Sequence, residues 1–320
     1  MAQEIELKLS LPQALHQRFA NMPLLQRYTT VEAQILPLQN CYFDTPEQLL
    51  NRHAVALRVR RSGDQYIQTL KTRGSSLGGL HQRQEWEWLV ADDQLDLSLL
   101  PQQALPETVS LDSLAVAFNT DFQRSCWMLD YPYQDQLASI ELVLDSGWVT
   151  VGQQRDAISE VELELKAGPA EALFALALEL AAEMPLRISR ISKAERGYRL
   201  HQPERARQIL DSPALGGGFD PQLTQIWLER IQALLESYLF THQATLLAEV
   251  QAALDGIKQQ LEGAGPLTSQ LLAGLQQQQQ SLNQLLAEPY DEAHAQQWIE
   301  GRLLGLCLLQ VSQWLYLQSS

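Results

Sequence analysis

The sequence predicts an α+β chain in two parts, antiparallel strands first and helices second. Three observations carry this. Apolar and charged residues alternate with period two in several runs before residue 167, helical spacing takes over after Asp220, and a Pro- and Gly-bearing stretch separates the two. A length of 320 residues suggests about two domains of ordinary size. The boundaries read as 1–200 for the strand-rich part, 201–219 for a linker and 220–320 for a helical domain. The linker carries Pro203, Pro213 and the run Gly216, Gly217, Gly218.

Met1–Ser10 sets Glu4, Glu6 and Lys8 on one face and Ile5, Leu7 and Leu9 on the other. Ser10 with Gln13 three residues on reads as a capping box opening a helix to about Ala20. Strand alternation resumes in Ala56–Arg60, where Leu57 and Val59 oppose Arg58 and Arg60, and in Ile67–Arg73, where Thr69, Lys71 and Arg73 share a face. Arg83, Glu85 and Glu87 alternate with Gln84, Trp86 and Trp88, and Glu141 and Asp145 with Ile140, Leu142 and Leu144. Glu160, Glu162, Glu164 and Lys166 alternate with Val161, Leu163 and Leu165. Ser62-Gly63-Asp64, Gly78-Gly79 and Ser146-Gly147 supply turns. Pro169 to Met184, rich in Ala, Leu and Glu behind an initial proline, predicts a helix. In the second part Leu223, Ile226, Trp227, Leu234, Leu235 and Tyr238 recur at helical spacing. So do Leu271, Leu275, Leu282 and Leu285, then Trp298, Leu303, Leu309 and Trp314. The Gln276–Gln280 run reads as a solvated stretch of helix.

Lys and Arg number 23 against 38 Asp and Glu, a net charge of −15, which excludes a general nucleic-acid-coating surface. The apolar fraction of 45% is enough for a core. Three scattered cysteines (Cys41, Cys126, Cys307) form neither a metal spacing nor a disulfide framework, so a reducing compartment is expected. Glu4 and Glu6 do not fit a signal peptide, and the apolar run Leu303–Leu309 is far short of a bilayer span. A soluble cytoplasmic protein without a membrane partner is expected.

The unusual feature is the density of charge on single strand faces. An open antiparallel sheet would turn that face to water, the simpler reading of periodicity alone. A closed barrel coated by helices would instead line a lumen with it. Buried ions cost several kcal/mol unless paired or solvated, so such a lumen must be wet and suited to a highly charged ligand. Arg and Lys match phosphate oxygens. Carboxylates at i and i+2, as in Glu4/Glu6 and Glu162/Glu164, suit a divalent metal held together with substrate phosphates.

The opening Glu4-Ile5-Glu6-Leu7-Lys8 matches an ExExK pattern. It is followed in order by Tyr42-Phe43-Asp44-Thr45-Pro46, Leu57-Arg58-Val59-Arg60, Thr69-Leu70-Lys71 and Gly79-Leu80-His81-Gln82-Arg83 with Glu85. Then come Thr120-Asp121-Phe122 with Arg124 and Trp127, Glu141 and Asp145, Glu162-Leu163-Glu164, and Ser192-Lys193 with Arg196-Gly197-Tyr198. Together these resemble the CYTH superfamily of triphosphate tunnel metalloenzymes, nearest to bacterial inorganic triphosphatases that carry a C-terminal helical CHAD domain. The resemblance implies a closed eight-stranded antiparallel barrel whose tunnel hydrolyses a linear triphosphate with Mg²⁺ or Mn²⁺, two ions with substrate bound. It implies Glu4, Glu6, Asp145, Glu162 and Glu164 as metal ligands. Lys8, Arg58, Arg60, Lys71, Arg73, Arg83, Arg124 and Lys193 would clamp the substrate, Arg73 least securely because it lies at a strand end. Glu6 or Glu164 would take the proton of the attacking water, with a Lys8 of depressed pKa as a rival. The helical part offers only His242 and His294 and three cations, so a reduced CHAD-like bundle serving stability or self-association is expected, not polyphosphate binding.

Two other functions share these features. A class IV adenylate cyclase or thiamine triphosphatase would keep the tunnel and need a pocket for a base or thiazolium ring. A non-catalytic phosphate-polymer binder would not need two metal-ready carboxylate pairs. Trp86 and Trp88 read as packing residues, His81 as a surface or turn histidine, and Lys166 as a solvated strand end. His16, His53 and His201 show no pairing with a Ser or Cys nucleophile.

Overall fold

The period-two segments pair into one antiparallel sheet that closes on itself. The computed structural model describes residues 2–204, 212–213, 218–265, 268–287 and 289–319. Most of the expected linker, 205–211 and 214–217, lies outside them. The strands are β1 (Ala2–Ser10), β2 (Gln34–Asp44), β3 (Ala56–Ser62), β4 (Gln65–Lys71), β5 (Ser75–Leu77), β6 (Leu80–Val90), β7 (Ala115–Tyr133), β8 (Gln136–Val151), β9 (Gln154–Ala167) and β10 (Arg187–Ile188). Eight follow the order β1-β9-β8-β7-β2-β3-β4-β6, and β6 pairs back onto β1 to close the barrel. Strands β5 and β10 add to β6 and β1. The charged faces therefore turn inward. The open-sheet arrangement, simpler on periodicity alone, is not the one formed.

Strands β2 and β7 are not among the segments whose alternation predicts a strand. Both do alternate, but in reverse sense near one end of the barrel. There Leu38, Tyr42, Phe118 and Phe122 are buried, while Gln39, Asn119 and Asp121 are exposed. Helix α5 explains the reversal, as described below.

Ten helices are described: α1 (His16–Ala20), α2 (Pro23–Tyr28), α3 (Leu49–Arg52), α4 (Glu171–Glu183), α5 (Lys193–His201), α6 (Pro221–Thr241), α7 (Thr245–Gly263), α8 (Ser269–Ala287), α9 (Glu292–Ile299) and α10 (Arg302–Ser319). The Gln276–Gln280 run lies within α8, as expected. The expected capping box at Ser10 is not formed. Ser10 is still in β1, opposite Glu160 and Arg187, and its hydroxyl donates to the Arg187 carbonyl at 3.2 Å. A 3₁₀ turn at Gln13–Leu15 precedes α1 without a side-chain cap.

The outer apolar faces are coated. Leu7, Leu9, Ile140, Leu142, Val161 and Leu163 pack with Leu173, Phe174, Leu176 and Leu180 of α4, and Leu309 of α10 joins this cluster. On another side Leu57, Val59 and Leu70, with Trp86 and Trp88, pack against Leu95, Leu97, Leu100 and Leu105. The tryptophans are packing residues, as expected. Helix α5 places Tyr198 and Leu200 in a cluster with Leu38, Tyr42, Phe118, Phe122, Val149 and Ile158, so apolar side chains fill that part of the barrel. Gly197 is required there: a Cβ would sit 2.4 Å from the Phe118 ring.

Helices α6, α7, α8, α9 and α10 share a second core around Trp227, Ile231, Tyr238, Val250, Leu275 and Leu308. This helical region docks on the barrel. Glu236 of α6 accepts from the Ser189 hydroxyl at 2.8 Å and the Arg190 amide at 3.0 Å. Gly78, at φ +60°, donates its N–H to Gln225 at 2.8 Å, and a Cβ there would lie 2.5 Å from the Ser312 carbonyl. Among the described residues no helix is long and apolar enough to cross a membrane.

Candidate active site

Cross-strand register places the charges. Glu4 lies opposite Arg83, Lys8 opposite Glu162, Lys71 opposite Glu85 and Arg124 opposite Asp145. Opposite charges stabilise such pairs and like charges oppose them. Three like pairs also occur: Glu6 with Glu164, Glu141 with Glu164 and Asp145 with Glu160. These need cations from elsewhere. The result is a cavity of about 320 Å³ lined by eight cations, seven carboxylates and one aromatic side chain, Tyr42.

In the middle of the bore every carboxylate is engaged. Lys71 Nζ donates to both Glu4 oxygens at 2.9 and 3.0 Å, and Arg83 bridges Glu4 at 2.8 Å and Glu6 at 2.6 Å. Burial resists charge on Glu4, but Lys71 and Arg83 outweigh it and hold the carboxyl down to about 2. Lys8 donates to Glu162 at 2.7 Å. Arg124 grips Asp145 through Nε at 2.8 Å and Nη2 at 2.7 Å, and reaches Glu162 at 3.0 Å. Asp145, Glu160 and Glu162 gather within 4.8 Å; Lys8 and Arg124 each touch two of them, and the ammonium of Lys193 touches all three. It lies 2.6 Å from Asp145 and 3.3 Å from Glu162 and donates a short hydrogen bond to Glu160. Lys193 is the first residue of α5, whose start is fixed by Ser192 accepting from the Glu195 amide at 3.1 Å.

The two flanks of the bore are unbalanced in opposite senses. At one, Arg60 is crowded: burial, then the neighbouring charges of Arg58 and Arg124, pull its guanidinium down to about 9. Its Nε donates to Asn40 at 2.8 Å. At the other, Glu164 is raised by burial and by the charges of Glu4 and Glu141, with Lys166 opposing. Lys166 bridges Glu141 at 2.9 Å and Glu164 at 2.7 Å. Surplus cation faces surplus carboxylate within one lumen.

Most expected site residues are thus brought together: Glu4, Glu6, Lys8, Arg58, Arg60, Lys71, Arg83, Arg124, Glu162, Glu164 and Lys193 line one cavity. Asp145 sits behind the lining at 0% exposure. Arg73 does not join them. It lies past the end of β4, on an adjoining cavity of about 390 Å³ with His81 and Arg190, which shares Glu6, Lys8, Lys71 and Arg83 with the bore. Lys8 cannot be a base of depressed pKa. Burial pulls that way, but Glu160 and Glu162 outweigh it and hold the ammonium well above its ordinary range. His81 is not a surface or turn residue. It lies in β6, where burial and then Lys8 and Arg83 push it down to about 4. Lys166 is the exposed strand end expected, next to last in β9, and it also lines the mouth of the cavity. Glu160 was passed over although its parity with Glu162 and Glu164 put it on the same face. His16 does meet a serine, Ser159, at 2.7 Å, yet the hydroxyl of Ser159 donates to the Leu11 carbonyl, the wrong direction for an activated nucleophile.

A divalent metal fits part of this donor set. Glu4, Glu6 and Glu164 offer carboxylate oxygens on the cavity wall, the hard donors that Mg²⁺ takes, with Lys71, Arg83 and Lys166 as their counterions. Asp145 fits less well, since it lies behind that wall and Arg124 and Lys193 engage its oxygens.

Residues 2–198 match the CYTH domain family. The chain belongs to the CYTH domain family. An inorganic triphosphatase from Haemophilus influenzae is 34% identical over 205 residues, covering 62% of this chain and 55% of that protein. The chain thus spans about half the length of the curated relative it matches. Among solved structures, this CYTH protein is similar to a Hippeastrum protein studied as an adenylyl cyclase and described as having a dominant triphosphatase activity. That likeness has TM-score 0.46 and 21% identity, over 60% of this chain and 93% of that one. A Pyrococcus horikoshii protein gives TM-score 0.38 and 17% identity, over 60% of this chain and 96% of that one.

Proposed function

We propose that the bore hydrolyses inorganic triphosphate to pyrophosphate and phosphate with Mg²⁺ or Mn²⁺. The observation that supports this is the polarity of the lumen, in which Arg60 is crowded by the charges of Arg58 and Arg124 at one place and Glu164 by those of Glu4 and Glu141 at another. A linear triphosphate with its counter-metal has that same division of charge. The family and the 34% identical triphosphatase point the same way.

Phosphoryl transfer asks mainly for positioning and charge neutralisation. Arg58, Arg60 and Arg124 take one end of the triphosphate, and Lys8, Lys71, Arg83 and Lys193 its remaining oxygens. Glu4 and Glu6, with Glu162 beside them, would hold the metal. Bound divalent ions supply neutralisation of phosphate oxygens and activation of water. Glu164 takes the water's proton, since its raised carboxyl is the better matched base. The helical region serves stability through α10.

Phosphate release from tripolyphosphate, ATP and thiamine triphosphate, each with Mg²⁺, Mn²⁺ or EDTA, tests the reading. Tripolyphosphate is expected to be preferred and EDTA to stop turnover. Preference for ATP with a cyclic product would replace it by a cyclase, although one lining aromatic, Tyr42, offers little to stack a base.

A pH profile tests the base. Below the pKa of Glu164 the carboxyl is protonated and cannot accept, so kcat/KM should rise with pH through a limb set above the ordinary glutamate range. Glu164→Gln should lose that limb and fall by roughly 10²–10⁴-fold. An unchanged limb would assign the base elsewhere.

A further inference from the structure

A second cavity, of about 490 Å³, lies where the barrel meets the helical region. Its lining comes from β9 (Arg155, Asp156), β10 (Arg187), α5 (Arg196, Arg199), α6 (Glu236) and the residue capping α9 (Glu300). Arg187 is 6% exposed, and among the described residues its guanidinium has no hydrogen-bond or ion-pair partner; Nη1 is buried outright. Arg199 is 9% exposed, with Nε unbonded and the nearest carboxylate, Glu195, at 3.7 Å. Arg196 spends Nη1 on Asp156 at 3.1 Å and leaves Nε unbonded.

The cavity's carboxylates act on Arg187 and Arg199 through space without a hydrogen bond to either: Glu236 and Glu300 attract Arg187, and Glu236 attracts Arg199. The bonds they make go elsewhere, Glu236 Oε1 to Ser189 and Arg190, Asp156 Oδ2 to Arg196 and Glu300 Oε2 to Gln296 at 3.3 Å. Arg155 lies over the Trp148 ring at 4.1 Å. A buried lysine escapes such a position by losing its proton, but a guanidinium stays charged, so one without a hydrogen-bond partner is unfavourable until an anion meets it. Nothing in the proposed tunnel chemistry uses these arginines.

We propose that this cavity is a second anion site, taking a small phosphate-class oxyanion on Arg187, Arg196 and Arg199, away from the tunnel. Guanidinium forks suit tetrahedral oxyanions, and the volume admits orthophosphate or pyrophosphate. Burial depresses Arg187 and Arg199, which a bound anion would reverse.

The test is calorimetric titration of the full chain with orthophosphate and, separately, pyrophosphate, at fixed ionic strength without divalent metal. The wild type should bind two anions, Arg58→Ala should lose the tunnel anion, and Arg187→Gln should lose the other. Loss of charged hydrogen bonds predicts roughly ten- to hundredfold weaker binding at the affected site. The anion bound at lower concentration names the source. Arg199→Gln serves if Arg187→Gln does not fold. Unchanged stoichiometry and affinity in the Arg187 and Arg199 variants would overturn the proposal, as would a single anion in wild type that Arg58→Ala removes.

Discussion

Lys193→Met should unfold at much lower denaturant, with about 3–5 kcal/mol of stability lost at neutral pH. The ammonium is the shared counterion of Asp145, Glu160 and Glu162, two of which are at 0% exposure. Methionine keeps most of the volume and removes the charge. Arg124 still holds Asp145 at 2.7 Å and Lys8 still holds Glu162 at 2.7 Å, whereas Glu160 keeps only the longer contact with Lys8 at 3.5 Å. The deficit should depend on pH with a definite sign. Burial opposes the charge on Asp145, but Lys193 and Arg124 outweigh it and lower its pKa, so it contributes stability above its unfolded pKa that disappears as pH falls through the folded one. Wild type and variant should therefore differ most near pH 7 and converge in acid. Equal urea midpoints at pH 7 would show that Lys193 is not the counterion.

Glu4→Ala should abolish metal-dependent turnover, a loss on the order of 10²–10³-fold or more in kcat. Glu4 is held by Lys71 and Arg83 in the absence of ligand, so the same change frees two cations for the substrate. Triphosphate binding without metal should then hold or tighten while catalysis is lost. That split separates a ligand role from simple collapse, and Glu4→Gln, which keeps the side-chain volume, should behave alike. Near-normal phosphate release by either variant would remove Glu4 from the metal set.

The charged inner face was legible wherever strand parity stayed regular. In β1 and β9 the alternation alone set Glu4, Glu6 and Lys8 against Glu160, Glu162 and Glu164. The same parity rule admits Glu160, and it admits Lys166 as a strand end that still reaches the cavity. Closure was not legible from periodicity, because an outward polar face and an inward polar lumen have one and the same pattern; the ordered motifs supplied it. Strands β2 and β7 escaped because α5 lies 150 residues or so downstream of β2 and turns their inner face apolar at Leu38, Phe118 and Phe122. Arg73 was misjudged by two residues of strand length. The capping box that sets Lys193 in place, Ser192 to Glu195, was readable but went unread, while Ser10 and Gln13 fitted the same pattern without forming it. The arginines of the second cavity meet only in three dimensions.

Leu309 belongs to the same apolar cluster as Leu7. A nascent chain leaving the ribosome therefore cannot finish the cover of α4 and β10 until α10 has been made. Synthesis should pass through a stage in which the barrel has its hydrogen bonds while one flank of α4 stays greasy and open to chaperones. Loss of α10 would then show first as aggregation during expression, with the chemistry of the interior untouched.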